Sequence, residues 1–159
     1  MSASASRTAR IGGRVLRNRR LVRAPIGLYR AGLGFLLGSR LLMVEHIGRT
    51  SGARRYVVLE VLTRPDPATY VIASGFGEKA QWYRNLRANP SARVWVGARR
   101  AVPATARHLS DTEADAVLAD YRTHHAPTWE KLRPVLEDTL GHPVERGADL
   151  PMVALELHG

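Results

Sequence analysis

The run Gly48-Arg49-Thr50-Ser51-Gly52-Ala53-Arg54-Arg55 sets hydroxyls and cations around two glycines, between two apolar stretches. In such a turn successive backbone N–H groups can converge on an anion while arginines supply charge, and phosphate is the guest that this chemistry suits. Arginine fits the task because its planar fork pairs with phosphate or carboxylate through two parallel hydrogen bonds. Further on, Trp82-Tyr83-Arg84-Asn85-Leu86-Arg87-Ala88-Asn89-Pro90 reads as a short amphipathic helix followed by its stop signal. Helical spacing puts Trp82, Asn85 and Leu86 on one face. Each feature also has a plain structural reading: a hairpin loop with solvated arginines, and an indole that fills a core.

The elements that must position these groups follow from periodicity. Short apolar runs over residues 41–47 and 56–62 predict two strands joined by the Arg49-Thr50-Ser51 turn. Pro65-Asp66-Pro67 predicts the next turn, residues 69–74 a third strand, and Gly75-Phe76-Gly77 a loop leading into the Trp82 helix. Strands are expected at 92–96 and 101–108 around a turn at Gly97-Ala98, and a final strand at 152–157. Ser110-Asp111-Thr112-Glu113 has capping-box spacing and should start a helix that turns Val117, Leu118 and Tyr121 inward. A second helix over 127–140 carries Trp129, Leu132, Val135 and Leu136, and Pro134 is expected to kink or divide it. Six short strands with helices at two interruptions predict an α+β protein: a small antiparallel barrel with flanking helices.

A chain of 159 residues with 45% apolar content suits one domain with a real core, and the absence of cysteine excludes disulfides and thiolate metal sites. The net charge of +10 is uneven: residues 1–59 hold twelve arginines against one acid, Glu45, for a net of +11, and the remainder is nearly balanced. The chain accordingly divides into a basic N-terminal tail with amphipathic helices over 1–39 and a barrel domain over 40–159. Within the tail, Ile11, Val15 and Val22 share a helical face with Arg14, Arg17 and Arg20 around it, a pattern suited to an anionic membrane surface. Nucleic acid is the weaker reading, since the aromatics that could stack bases lie mostly outside the basic segment. The apolar run at 31–39 is too short to span a bilayer, so the expected location is cytoplasmic, peripheral on the inner face of the membrane. No H-x-x-x-H pair, nucleophile elbow or Walker loop occurs, and no metal is expected.

Together the arginine turn and the Trp82 helix resemble the deazaflavin-dependent nitroreductase family, split β-barrel oxidoreductases of the FMN-binding split-barrel type that bind coenzyme F420. The resemblance covers roughly residues 40–157. It implies an F420H2-dependent reductase that passes a hydride to a small planar electrophile, such as a quinone, nitro compound or conjugated carbonyl, without a protein nucleophile. It also implies that Arg49, Thr50, Ser51, Gly52 and Arg55 hold the phosphate and oligoglutamate tail, while the backbone of Val57 and Val58 follows the ring edge. Ala73, Ser74 and Gly75 would lie beside the ring, with Ser74 donating a hydrogen bond; Trp82 and Asn85 would contact the cofactor, and Tyr121 and Trp129 would close over the substrate.

Two departures stand out. Known members carry a proline and an aromatic in the strand where this chain has Tyr56-Val57-Val58-Leu59-Glu60, and Gly75 stands where relatives have a lysine. Lys79 or the extra Arg54 is the candidate substitute for that lysine, and Glu60 is read as either a substrate-selecting carboxylate or an outward strand residue. FMN is the alternative cofactor, a noncatalytic anionic-membrane protein the alternative class, and a homodimer is compatible with either.

Overall fold

The computed structural model describes residues 40–159, so the basic helical segments expected before residue 40 lie outside the described residues. Six strands form a closed antiparallel barrel in the order β1-β2-β3-β6-β5-β4. They are β1 (Leu41–Ile47), β2 (Arg54–Asp66), β3 (Thr69–Ala73), β4 (Ser91–Val96), β5 (Arg99–His108) and β6 (Met152–Leu157). Helix α1 (Gln81–Ala88) separates β3 from β4, while α2 (Asp111–His124) and α3 (Ala126–Leu140) separate β5 from β6.

Period-2 alternation decides what each strand buries. Leu42 and Val44 of β1, Val57, Leu59 and Val61 of β2, Tyr70 and Ile72 of β3, Val94 and Val96 of β4, and Val153, Leu155 and Leu157 of β6 fill the barrel. The buried face of α1, with Trp82, Tyr83 and Leu86, closes one end of that core. Outside the barrel, Val71, Ala73, Met152 and Ala154 pack beneath Ala114, Leu118, Tyr121, Trp129 and Leu136 of the two long helices.

Strand direction places the loops. Because every neighbouring pair is antiparallel, the β1–β2 turn, the β3–α1 loop, the start of β4 and both ends of the α2–α3 insertion emerge at the same end of the barrel. The turns at Pro67-Ala68 and Gly97-Ala98 lie at the other.

Local signals account for the helix limits. Ser110 accepts from the Glu113 backbone N–H while the Glu113 carboxylate accepts from Ser110, the reciprocal cap expected from the sequence. Pro90 forces Asn89 out of the helical region, ending α1 with Asn89 extended. Gly141 ends α3 in the left-handed conformation.

Two expectations need correction. β2 continues through Pro65 and Asp66, and the turn falls at Pro67-Ala68, because register shifts absorb the irregular end of the strand and the Asp66 carboxylate accepts from the Ala68 N–H. Pro134 does not divide α3, which runs unbroken for 15 residues; Pro134 is exposed, so water can satisfy the carbonyl that its ring leaves without a partner. Among the described residues no helix is long and apolar enough to cross a membrane, and no cluster of His and carboxylates could hold a metal.

Candidate functional site

The β1–β2 turn is held by its own backbone: Gly48 N–H donates to the Ala53 carbonyl and Gly52 N–H to the Gly48 carbonyl, both at 2.8 Å. Gly52 takes φ +70°, where a side chain would strain the chain, and a Cβ on Gly48 would lie 2.7 Å from Ser51 Oγ. Gly52 is therefore required by the turn, while a side chain at Gly48 would displace the Ser51 hydroxyl. Arg49, Thr50, Ser51, Arg54 and Arg55 are all exposed around it, a donor set suited to an anion. Ser51 Oγ accepts from the Ala53 N–H, which spends part of that hydroxyl on the turn itself.

One side chain from α1 ties this turn to the barrel. Asn85, 2% exposed, accepts at Oδ1 from both the Arg49 backbone N–H (3.1 Å) and Arg49 Nη1 (2.8 Å). Its Nδ2 lies 3.1 Å from Nδ1 of His46, a residue of β1 that is itself 3% exposed. Burial, with a smaller contribution from the Arg55 charge, lowers the His46 pKa to about 4 against a partial opposing effect of Glu45, so the ring is neutral at neutral pH. Sequence reasoning missed His46 altogether.

Below the turn, the outer face of β2 is a wall. Val57 points into the barrel, so alternation turns Tyr56, Val58 and Glu60 outward. Tyr56 Oη donates to Glu45 Oε2 at 2.9 Å and its ring meets Trp95 edge-on at 6.1 Å between centroids. On the other flank Tyr121 of α2 directs its hydroxyl at Glu60 Oε1, 3.5 Å away, and desolvation followed by the Glu60 charge raises the phenol pKa. Glu60 thus faces outward, toward a helix. Tyr121 also meets Trp129 edge-on, and both rings are buried in the helical layer.

The remaining expected residues sit apart from this wall. Trp82 is 7% exposed within the barrel core, stacked edge-on against Tyr83. Its helical face was legible in the sequence, but that face looks inward. Ser74 is fully buried; its hydroxyl donates to the Gly77 carbonyl at 2.6 Å, engaging the proton that the resemblance assigns to a ring carbonyl. The Gly75 carbonyl accepts from Thr139 Oγ1 of α3, and Ala73 packs under the helices. Lys79 lies instead on a separate cleft of about 840 Å³, lined also by Phe76, Thr139, His142 and Pro143 and by none of the turn arginines.

The turn, braced from behind by the buried Asn85, leads directly onto the outward face of β2: cations at the head, a half-buried strand along it, and Glu60 with Tyr121 at its far side. Residues 21–133 match the family model of the F420H(2)-dependent quinone reductases. A Mycobacterium tuberculosis (strain ATCC 25618 / H37Rv) protein bearing the name F420H(2)-dependent quinone reductase is 36% identical over 72 residues, which span 45% of this chain and 60% of that relative. In fold the chain is similar to an F420-H2 dependent reductase, FDR-A (TM-score 0.50, 23% identity, covering 74% of this chain and 94% of that one). It is also similar to a Listeria innocua protein titled a pyridoxamine 5'-phosphate oxidase (TM-score 0.52, 12% identity, covering 83% and 94%). These likenesses establish the split-barrel fold, and the family match, which extends over well more than half of the sequence, establishes that the chain belongs to the F420H(2)-dependent quinone reductase family.

Proposed function

We propose that the protein is an F420H2-dependent reductase that delivers a hydride to a small planar electrophile: a quinone, a nitro compound or a conjugated carbonyl. The observation that carries this reading is the exposed arginine turn at the head of β2, in a chain of this family, with an outward strand face leading from it to Glu60 and Tyr121. Arg49, Thr50, Ser51, Gly52, Arg54 and Arg55 would hold the anionic tail, and the strand at Val57 and Val58 would support the ring.

When bound, the reduced deazaflavin supplies the hydride. The chain supplies position and polarity. Tyr121 keeps its proton at Oη, because burial and the neighbouring Glu60 charge both oppose ionisation, and it directs that proton at Glu60, fixing the carboxylate at the edge of the wall. Glu60 adds a carboxylate that favours acceptors able to donate a hydrogen bond. Ser74, engaged with Gly77, shapes the β3–α1 loop at the same barrel end.

Fluorescence titration should show micromolar or tighter binding of F420 and appreciably weaker binding of FMN; equal or reversed preference would overturn the cofactor assignment. An acceptor screen with a quinone and a nitroarene then ranks the substrate classes, and light scattering on the same samples reads self-association.

The basic N-terminal segment supports a further part of the reading, peripheral attachment to anionic membranes from the cytoplasmic side. Liposome sedimentation should show binding that falls with salt and on removal of residues 1–24, while turnover persists. Binding unchanged by that truncation would refute the attachment.

A further inference from the structure

The anion turn is braced from inside the barrel end. Asn85 has one acceptor and one donor atom, and both Arg49 donors converge on the acceptor, Oδ1. The atom facing His46 must then be Nδ2, which can only donate. His46 Nδ1 is accordingly the acceptor, and the neutral ring carries its proton on Nε2. A three-member chain results: His46 fixes the orientation of the Asn85 amide, and Asn85 fixes Arg49 by its backbone and its guanidinium together. With both residues buried, a flip of the amide would set like against like, donor on donor at Arg49 and acceptor on acceptor at His46.

We propose that His46 and Asn85 are positioning residues for anion recognition, holding Arg49 and the turn backbone in the geometry that a bound phosphate requires. The inference rests on the F420 reading of the same turn, but it assigns these two residues a task that needs no contact between His46 and ligand. Four groups govern the link: Asn85 from α1, Arg49 from the turn, Arg55 from β2, and Glu45 beside His46 on β1. Preorganisation of this kind acts on affinity for the anion and leaves ring binding alone.

The test titrates the full chain with oxidised F420 and with its deazaflavin-ribityl fragment, which lacks phosphate and glutamates. Asn85→Ala and His46→Phe should each weaken F420 by roughly tenfold, with little change for the fragment. His46→Asn, whose side-chain oxygen can replace the Nδ1 acceptor, should restore binding to within about twofold of the unsubstituted protein. Asn85→Asp supplies a signature that packing cannot mimic. Its second oxygen faces an acceptor nitrogen, so the carboxylate draws a proton onto His46 and raises the pKa of that ring into the neutral range. Relative to the unsubstituted protein at each pH, the F420 affinity of this variant should therefore fall as pH rises from 5 to 8, as His46 loses that proton and the full charge of the carboxylate is left to neutralise Arg49.

Nitrogen NMR of the ligand-free protein gives an independent readout, an unprotonated Nδ1 on His46 at pH 7. A protonated Nδ1, a flat Asn85→Asp profile, or equal losses for F420 and the fragment would each overturn the positioning role. If His46→Phe does not fold, the His46→Asn and Asn85→Asp arms still decide. Failure of the unsubstituted protein to bind F420 would instead overturn the cofactor reading, which the NMR arm does not depend on.

Discussion

Gly147→Ala should unfold or severely loosen the helical layer, and by more than any other single-methyl addition at a glycine for which the structure gives neighbours. A Cβ at this position would lie 1.8 Å from the Ala114 carbonyl oxygen and 2.4 Å from the Asp115 nitrogen, both backbone atoms of α2. A flexible side chain could yield; a helix backbone cannot move without carrying its neighbours. Those neighbours are specific. Asp115 accepts from the Ala148 N–H and pairs with Arg146, while Asp149 accepts from the N–H groups of Glu145 and Arg146, so one short segment docks the chain between α3 and β6 onto α2. Overpacking costs about 1–3 kcal/mol in ordinary cores, and the rigid obstacle puts this substitution at or above the top of that range.

Gly141→Ala is the matched control. It has nothing within 4 Å but a φ of +78°, so it meets only backbone strain of roughly 1–2 kcal/mol. Urea denaturation of the two variants separates space from conformation. Equal midpoints would show that the α2 contact is loose.

How much of this architecture the sequence disclosed depends on the range of the interactions involved. The limits of β1 and β6 were readable because Leu41–Ile47 and Met152–Leu157 are short, largely apolar runs bounded by polar or turn residues, as strands buried on both faces must be. The Ser110 cap was equally readable, since every atom that forms it lies within four residues. The end of β2 was not: Pro65 looks like a terminator in sequence, and only pairing with β3 across register shifts keeps the strand running. The reading of Pro134 as a divider of α3 failed for a similar reason, because a proline's cost depends on whether the carbonyl it frees can reach water.

The site shows the same division. The turn could be identified from glycines, hydroxyls and arginines in succession, and the helical spacing of Trp82, Asn85 and Leu86 correctly placed them on one face. Which way that face looks is a tertiary fact, and it looks into the barrel, carrying Asn85 to the rim where Arg49 waits. His46 offered no signal. A lone histidine in an apolar strand is ordinary, and its meaning comes from an amide 39 positions away. Glu60 stood at the margin of legibility, since alternation put it on the outer face but only the docking of α2 supplied Tyr121 opposite.

Arg55→Ala should weaken F420 by roughly tenfold or more, the value of a lost charge-assisted hydrogen bond of about 1.5–3 kcal/mol. The contrast that gives the measurement meaning is Arg64→Ala. Both arginines are exposed on β2, but strand direction carries them to opposite ends of the barrel: Arg55 pairs with His46 beside the anion turn, whereas Arg64 donates to the Pro67 carbonyl and lies over the Tyr70 ring, 4.7 Å from its centroid. Removing Arg64 costs loop contacts and leaves cofactor affinity unchanged. On the proposed reading Arg55 pairs with the cofactor's anionic tail, so its effect should also depend on the ligand. With the phosphate-free fragment nothing remains for the guanidinium to pair with, and the penalty should nearly vanish, whereas raised salt should shrink it for the intact cofactor by screening an exposed charge. An equal loss for both ligands would mean that Arg55 supports the fold or meets the ring, and the turn at 48–55 would then have to be given up as the anion site.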